Sequence, residues 1–153
     1  MKKITTLLTL LAITTVVFAA NPQDETKKTA KPISMNKNMF IEKVFDYQNN
    51  PTEWKYKGDK PSIIDFWAPW CGPCVRLSPV LDELAAEYGD EIYIYKINVD
   101  NEPELAAAFG VQSIPALLFI PMQGTPHSSQ GAIPKASFKK VIDEVLLKKK
   151  TDK

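Results

Sequence analysis

The only two cysteines of this 153-residue chain, Cys71 and Cys74, stand three apart in the run Trp70-Cys71-Gly72-Pro73-Cys74. If that run opens a helix, the first thiol meets backbone N–H groups without carbonyl partners and the positive end of the helix dipole. Both favour thiolate over thiol, which supplies a sulfur nucleophile near neutral pH. Residues three apart share a helix face, so Cys74 stands ready to attack a mixed disulfide formed by Cys71. Gly72 permits close backbone approach, and Pro73 lacks an N–H that a first helical turn leaves unpaired anyway. The spacing therefore reads as a dithiol cycling through a Cys71–Cys74 disulfide, with no metal and no other cofactor needed. A zinc site would need more ligands, and the chain offers only one histidine, His127, and no second cysteine pair. A c-type haem site needs histidine at position 75, which is valine. An inert staple is disfavoured because so short a ring is strained and reducible.

Two further ionisable residues sit in apolar runs. Asp65 lies six residues before Cys71, inside Ser62-Ile63-Ile64-Asp65-Phe66-Trp67. Burial raises a carboxyl pKa and makes it a proton acceptor and donor for a neighbouring thiol, although a structural aspartate reads the same way from sequence. Lys96 falls in a β-rich run that can neighbour the strand of Asp65, and taken alone it reads as a lysine snorkelling to the sheet edge. His127 is expected on the surface, away from the thiols.

The elements that position these residues follow from periodicity. Met39, Phe40, Val44, Phe45 and Tyr47 recur at helical spacing, with Asn49-Asn50-Pro51 as a stop. A short strand is expected over 54–56 and a strand buried on both faces over 62–67. A long helix should run over 72–88, kinked at Pro79. A strand over 91–99, a helix over 101–109 stopped by Gly110, a strand over 116–120, a weaker strand ending near Gly131 and a closing helix over 134–149 complete the chain. This alternation gives an α/β fold, a mixed sheet with helices on both faces.

The N-terminus carries Lys2 and Lys3, then a 17-residue apolar stretch over 4–20 containing five threonines, and polar residues after Ala20. That pattern describes a secretory signal peptide rather than a membrane anchor, with cleavage expected after Ala19. Residues 20–35 read as a flexible leader and 36–150 as the single domain. A formal net charge of +1 gives no field of one sign that would point to nucleic acid.

With these residues in view, the chain resembles the thioredoxin family from about Lys60 to Leu147. The resemblance rests on the run from Asp65 to Cys74, on Pro79, on Lys96-Ile97-Asn98-Val99-Asp100 and on Ser113-Ile114-Pro115. It implies the thioredoxin fold, Cys71 as attacking thiol and Cys74 as resolving thiol. It further implies Asp65 as the buried acid that deprotonates Cys74, Lys96 as its neighbour, and Pro115 as a cis-proline facing the disulfide. Trp70, Val99, Ile114, Pro115, Gly131 and Ala132 would then form the apolar groove that docks a partner chain. Val75 departs from the lysine many members carry there, and the Pro121–His127 segment departs from the usual hairpin. The run from Cys71 to Pro115 has no room for the insertion typical of exported relatives dedicated to cytochrome c maturation.

Together these features imply a periplasmic or secreted, monomeric disulfide reductase. It would act on oxidised exported proteins and draw electrons from a membrane donor. A disulfide oxidase or isomerase and a non-enzymatic binding subunit are the alternatives. The Gly-Pro dipeptide, without the histidine of oxidising relatives, favours the reductase.

Overall fold

A computed structural model of the protein describes residues 30–149. The expected signal peptide over 1–19 lies outside them. The elements run β1 (Ile33–Ser34), α1 (Lys37–Lys43), β2 (Ser62–Trp67), α2 (Gly72–Tyr88), β3 (Tyr93–Asn98), α3 (Pro103–Ala108), β4 (Ala116–Ile120), β5 (His127–Gln130) and α4 (Lys135–Val141). The five strands form one sheet in the order β1-β3-β2-β4-β5. β1 and β2 pair with β3 in parallel, whereas β4 pairs antiparallel with β2 and with β5. This is the mixed sheet expected from the alternation of apolar runs, and the fold is the thioredoxin fold.

Side chains alternate across a strand, so β2 feeds two cores. Ile63 points to one face, where it meets Leu77, Leu81 and Leu84 of α2, Leu117 and Phe119 of β4 and Phe138 of α4. Ile64 and Phe66 point to the other, where they meet Phe40 of α1, Leu105 of α3, Tyr95 and Ile97. Phe40, Phe66, Leu81, Leu84, Leu105 and Phe138 are fully buried. Removing each such side chain from water contributes about 1.5–3 kcal/mol. These two cores hold the sheet rigid beneath the C-terminal end of β2, where the cysteines lie.

Four expectations need correction. The stretch taken as a flexible leader contributes β1, which pairs at Tyr95 and Lys96, and Met35 beyond it is buried. Two residues are too few to carry a period, so the sequence pattern missed this strand. No strand forms over 54–56: Trp54 packs instead on Phe45, ring centroids 4.5 Å apart, and the Tyr56 hydroxyl donates to the Lys60 carbonyl. α1 stops at Lys43, well before Asn49, because Phe45 turns back to donate its backbone N–H to the Phe40 carbonyl. The Asp46 carboxylate then accepts from the Asn49 backbone and side chain, which closes a turn in place of more helix. At the end of the chain, α4 gives way after Val141 to a wider π turn over Ile142–Leu146 rather than continuing as regular helix.

Candidate active site

α2 begins where β2 ends, and Cys71 is its N-cap. The Cys71 backbone is extended, with φ −81° and ψ 102°, and its sulfur accepts a hydrogen bond from the Cys74 backbone N–H at 3.2 Å. An N-cap side chain ordinarily satisfies this third helical amide with oxygen. Here the acceptor is the reactive sulfur, so the donor that would stabilise a thiolate is already aimed at it. Pro73 sits in the first turn, where its missing N–H is not needed. Cys71 and Cys74 form a disulfide, with Cα atoms 5.2 Å apart. Cys74 is fully buried and Cys71 nearly so, against Ala68, Trp67, Val99 and Ile114.

The surroundings of the disulfide are asymmetric. Trp70 is 70% exposed and its indole N–H donates to the Asp100 carboxylate at 2.9 Å, which fixes the ring without covering it. From Trp70 a cleft of about 380 Å³ runs past Val99, Ala106, Val111 and Ile114. The Ile114 carbonyl oxygen lies 3.7 Å from the Cys71 sulfur, and the Ile114–Pro115 bond is cis. Pro115 is buried and does not line the cleft; the Gly131 N–H donates to its carbonyl at 2.7 Å. Gly131 takes φ 81° to do so, a conformation that favours glycine. Ala132 follows on the exposed surface, also outside the cleft lining. His127 opens β5 and is exposed.

Asp65 and Lys96 are direct neighbours in the parallel β2·β3 register and share the face that α2 covers. Asp65 is fully buried, and neither carboxyl oxygen has a hydrogen-bond partner. Burial pushes its pKa up to about 6, and the nearby Lys96 charge only partly opposes the rise. The Lys96 ammonium donates to the Ser78 hydroxyl at 2.9 Å and lies 4.3 Å from the centre of the Trp67 ring. An unpartnered buried carboxyl weakens a fold, and one that titrates near neutrality can exchange protons during a reaction.

The thioredoxin family profile matches residues 43–144, which is most of the chain. The chain belongs to the thioredoxin family. A thioredoxin of Borreliella burgdorferi is 45% identical over 112 residues, which cover 73% of this chain and 95% of that one. The M-type chloroplastic thioredoxin of Spinacia oleracea is 41% identical over 100 residues, 63% of this chain and 55% of the spinach protein. The crystal structure of chloroplastic thioredoxin z aligns with a TM-score of 0.60 at 24% identity, covering 73% of this chain and 91% of that chain, and shows the common fold. With its disulfide-forming pair in Cys-X-X-Cys spacing, the chain is a thioredoxin-family thiol–disulfide oxidoreductase.

Two residues of this site escaped the sequence reading. Val75 removes the positive charge that many thioredoxins place after the second cysteine, but Arg76 folds back along α2. One of its guanidinium nitrogens comes within 3.5 Å of where a β-carbon on Gly72 would lie. The signal was present, since Gly72 and Arg76 are four apart on one helix and therefore neighbours. Ser78 was missed because only tertiary packing shows that its hydroxyl meets a lysine from β3.

Proposed function

We propose that this protein is an exported thioredoxin that reduces disulfides in other exported proteins and is itself re-reduced by a membrane electron donor. The observation that carries the redox reading is the Cys71–Cys74 disulfide at the N-cap of α2, with the exposed Trp70 beside it. The export reading is supported by Lys2 and Lys3, the Thr-rich apolar stretch over 4–20 and Ala19, all of which precede the family match. Cleavage there would bring the formal charge from +1 to about −1.

In the reaction, the Cys71 thiolate attacks one sulfur of the partner disulfide. The partner's S–S bond breaks, and its other sulfur leaves with the electron pair. A mixed disulfide between Cys71 and the partner results. Asp65 as carboxylate then accepts the Cys74 proton, and the Cys74 thiolate attacks the Cys71 sulfur. The bond from Cys71 to the partner breaks, the second partner thiolate departs, and the Cys71–Cys74 disulfide forms. The partner gains two electrons and this dithiol loses them. The cleft beside Trp70 holds the partner's chain while this happens. Val99 and Ile114 supply its apolar wall, and the Ile114 carbonyl lies 3.7 Å from the Cys71 sulfur. The protein works as a monomer, and no metal or organic cofactor takes part.

The direction of electron flow follows from what holds the Cys71 thiolate. Stronger thiolate stabilisation makes a stronger oxidant, and thioredoxin-type and strongly oxidising proteins differ by about 150 mV. Gly72 and Pro73 place no charge or imidazole between the sulfurs, and Arg76 is solvent-exposed, so its effect is screened. The potential is therefore expected near the reducing end. Expression of a tagged full-length Cys74→Ser variant tests the proposal. It should accumulate mixed disulfides with exported proteins and begin near Ala20, whereas Cys71→Ser should trap none. Recovery of the variant with Met1 intact, or with cytoplasmic partners alone, would overturn the export reading.

A further inference from the structure

We propose that Ser78 is a positioning residue of the buried proton site: its hydroxyl holds the Lys96 ammonium over the Trp67 ring and away from Asp65, and thereby sets how readily that carboxyl releases its proton. The inference deepens the reading of Asp65 as the acceptor of the Cys74 proton and rests on it.

The register sets Asp65 and Lys96 side by side on one face, an arrangement that ordinarily yields an ion pair. None forms. The Lys96 ammonium donates instead to Ser78 at 2.9 Å and lies 4.3 Å from the Trp67 ring centre, while both Asp65 oxygens stay without a partner. An ammonium has three donors and is attracted to an aromatic face, so the hydroxyl and the ring together give it a competing berth.

Among the described residues, the elements packed around Asp65 bring only one charge to bear on it. β3 contributes that charge, Lys96, and β4 sets the apolar Leu117 across from the carboxyl. α2 packs on the same face and carries Cys74 and, one turn later, Ser78. Near enough to act through space but not bonded, the ammonium offsets only part of the desolvation that dominates at Asp65. Without the Ser78 hydroxyl, the half-buried ammonium loses its acceptor. The unpartnered Asp65 oxygens, on the paired residue of β2, are then acceptors it can turn to. An opposite charge in direct contact lowers a carboxyl pKa by about 1–3 units.

Carbon-13 NMR titration of the Asp65 carboxyl in the intact oxidised protein tests this directly. Ser78→Ala should lower the midpoint by about one pH unit, a tenfold loss of proton affinity. The near-isosteric pair Ser78→Thr and Ser78→Val repeats the comparison at matched volume: threonine should hold the original midpoint and valine should lower it. In a Lys96→Met background, Ser78→Ala should change nothing. An unchanged or raised midpoint in Ser78→Ala and Ser78→Val, or an equal drop without Lys96, would overturn the role of Ser78. The rate of mixed-disulfide resolution against pH separates the two readings. If the midpoint moves but the rate profile does not follow it, Ser78 still positions Lys96 and Asp65 is not the proton acceptor.

Discussion

Consecutive residues on the same two strands make two very different pairs. Phe66 meets Ile97 on one face of the sheet, and one residue earlier Asp65 meets Lys96 on the other. The Phe66 face is packed with side chains from α1 and α3 and carries no ionisable group at that position. The Asp65 face is equally buried, yet it holds a carboxyl whose two oxygens bond nothing. Burial thus serves two ends within about 4 Å of backbone. On one face it stabilises the fold, and on the other it gives up stability to hold a carboxyl without a partner.

The largest expected effect breaks the stabilising pair. Phe66→Ala should cost about 3–5 kcal/mol in urea unfolding, a large share of the stability of a domain this size. A loss below about 1 kcal/mol would mean that the two faces do not differ in kind.

The opposite change on the other face should stabilise. Burial raises the Asp65 pKa from 3.8 to about 6, so folding takes up a proton between those values. The contribution of this carboxyl is best below about pH 4, is lost as pH rises through about 6, and stays flat beyond. Asp65→Asn should therefore raise stability by about 1–3 kcal/mol at pH 8, and the gain should vanish near pH 4. Equal unfolding curves for the two proteins at both pH values would show that the carboxyl carries no such penalty.

How much of this was legible in the sequence differs between the same two faces. The apolar run of Ile63, Ile64, Phe66 and Trp67 marks a buried strand whatever surrounds it, and Trp70-Cys71-Gly72-Pro73-Cys74 carries its own chemistry. Those signals are local. The role of Ser78 depends on a lysine eighteen positions away reaching across from β3, and no periodicity encodes that. β1 escaped for the same reason, since its two residues are strand only because β3 offers an edge. The false strand at Trp54–Tyr56 shows the converse: apolar residues that look like a strand were claimed by packing on Phe45.

The smallest effect sharpens what burial contributes. Lys135 pairs with Glu83 at 2.8 Å and with Glu87 at 3.5 Å, joining α4 to α2 over the Asp65 face but in solvent. Lys135→Ala should change stability by no more than about 0.5 kcal/mol, and less as salt rises. A larger loss would show that exposed charge, and not only buried charge, matters on this face.

The most direct test of the account is the single-turnover rate at which Cys74 resolves a mixed disulfide on Cys71, followed from about pH 5 to 8 in the native protein and in Asp65→Asn. If Asp65 takes the Cys74 proton, the native rate rises with a midpoint near the Asp65 pKa of about 6. The variant should then be slower above that midpoint, approach the native rate below it, and lack that step. Superimposable profiles would contradict the account and leave Asp65 a structural residue only.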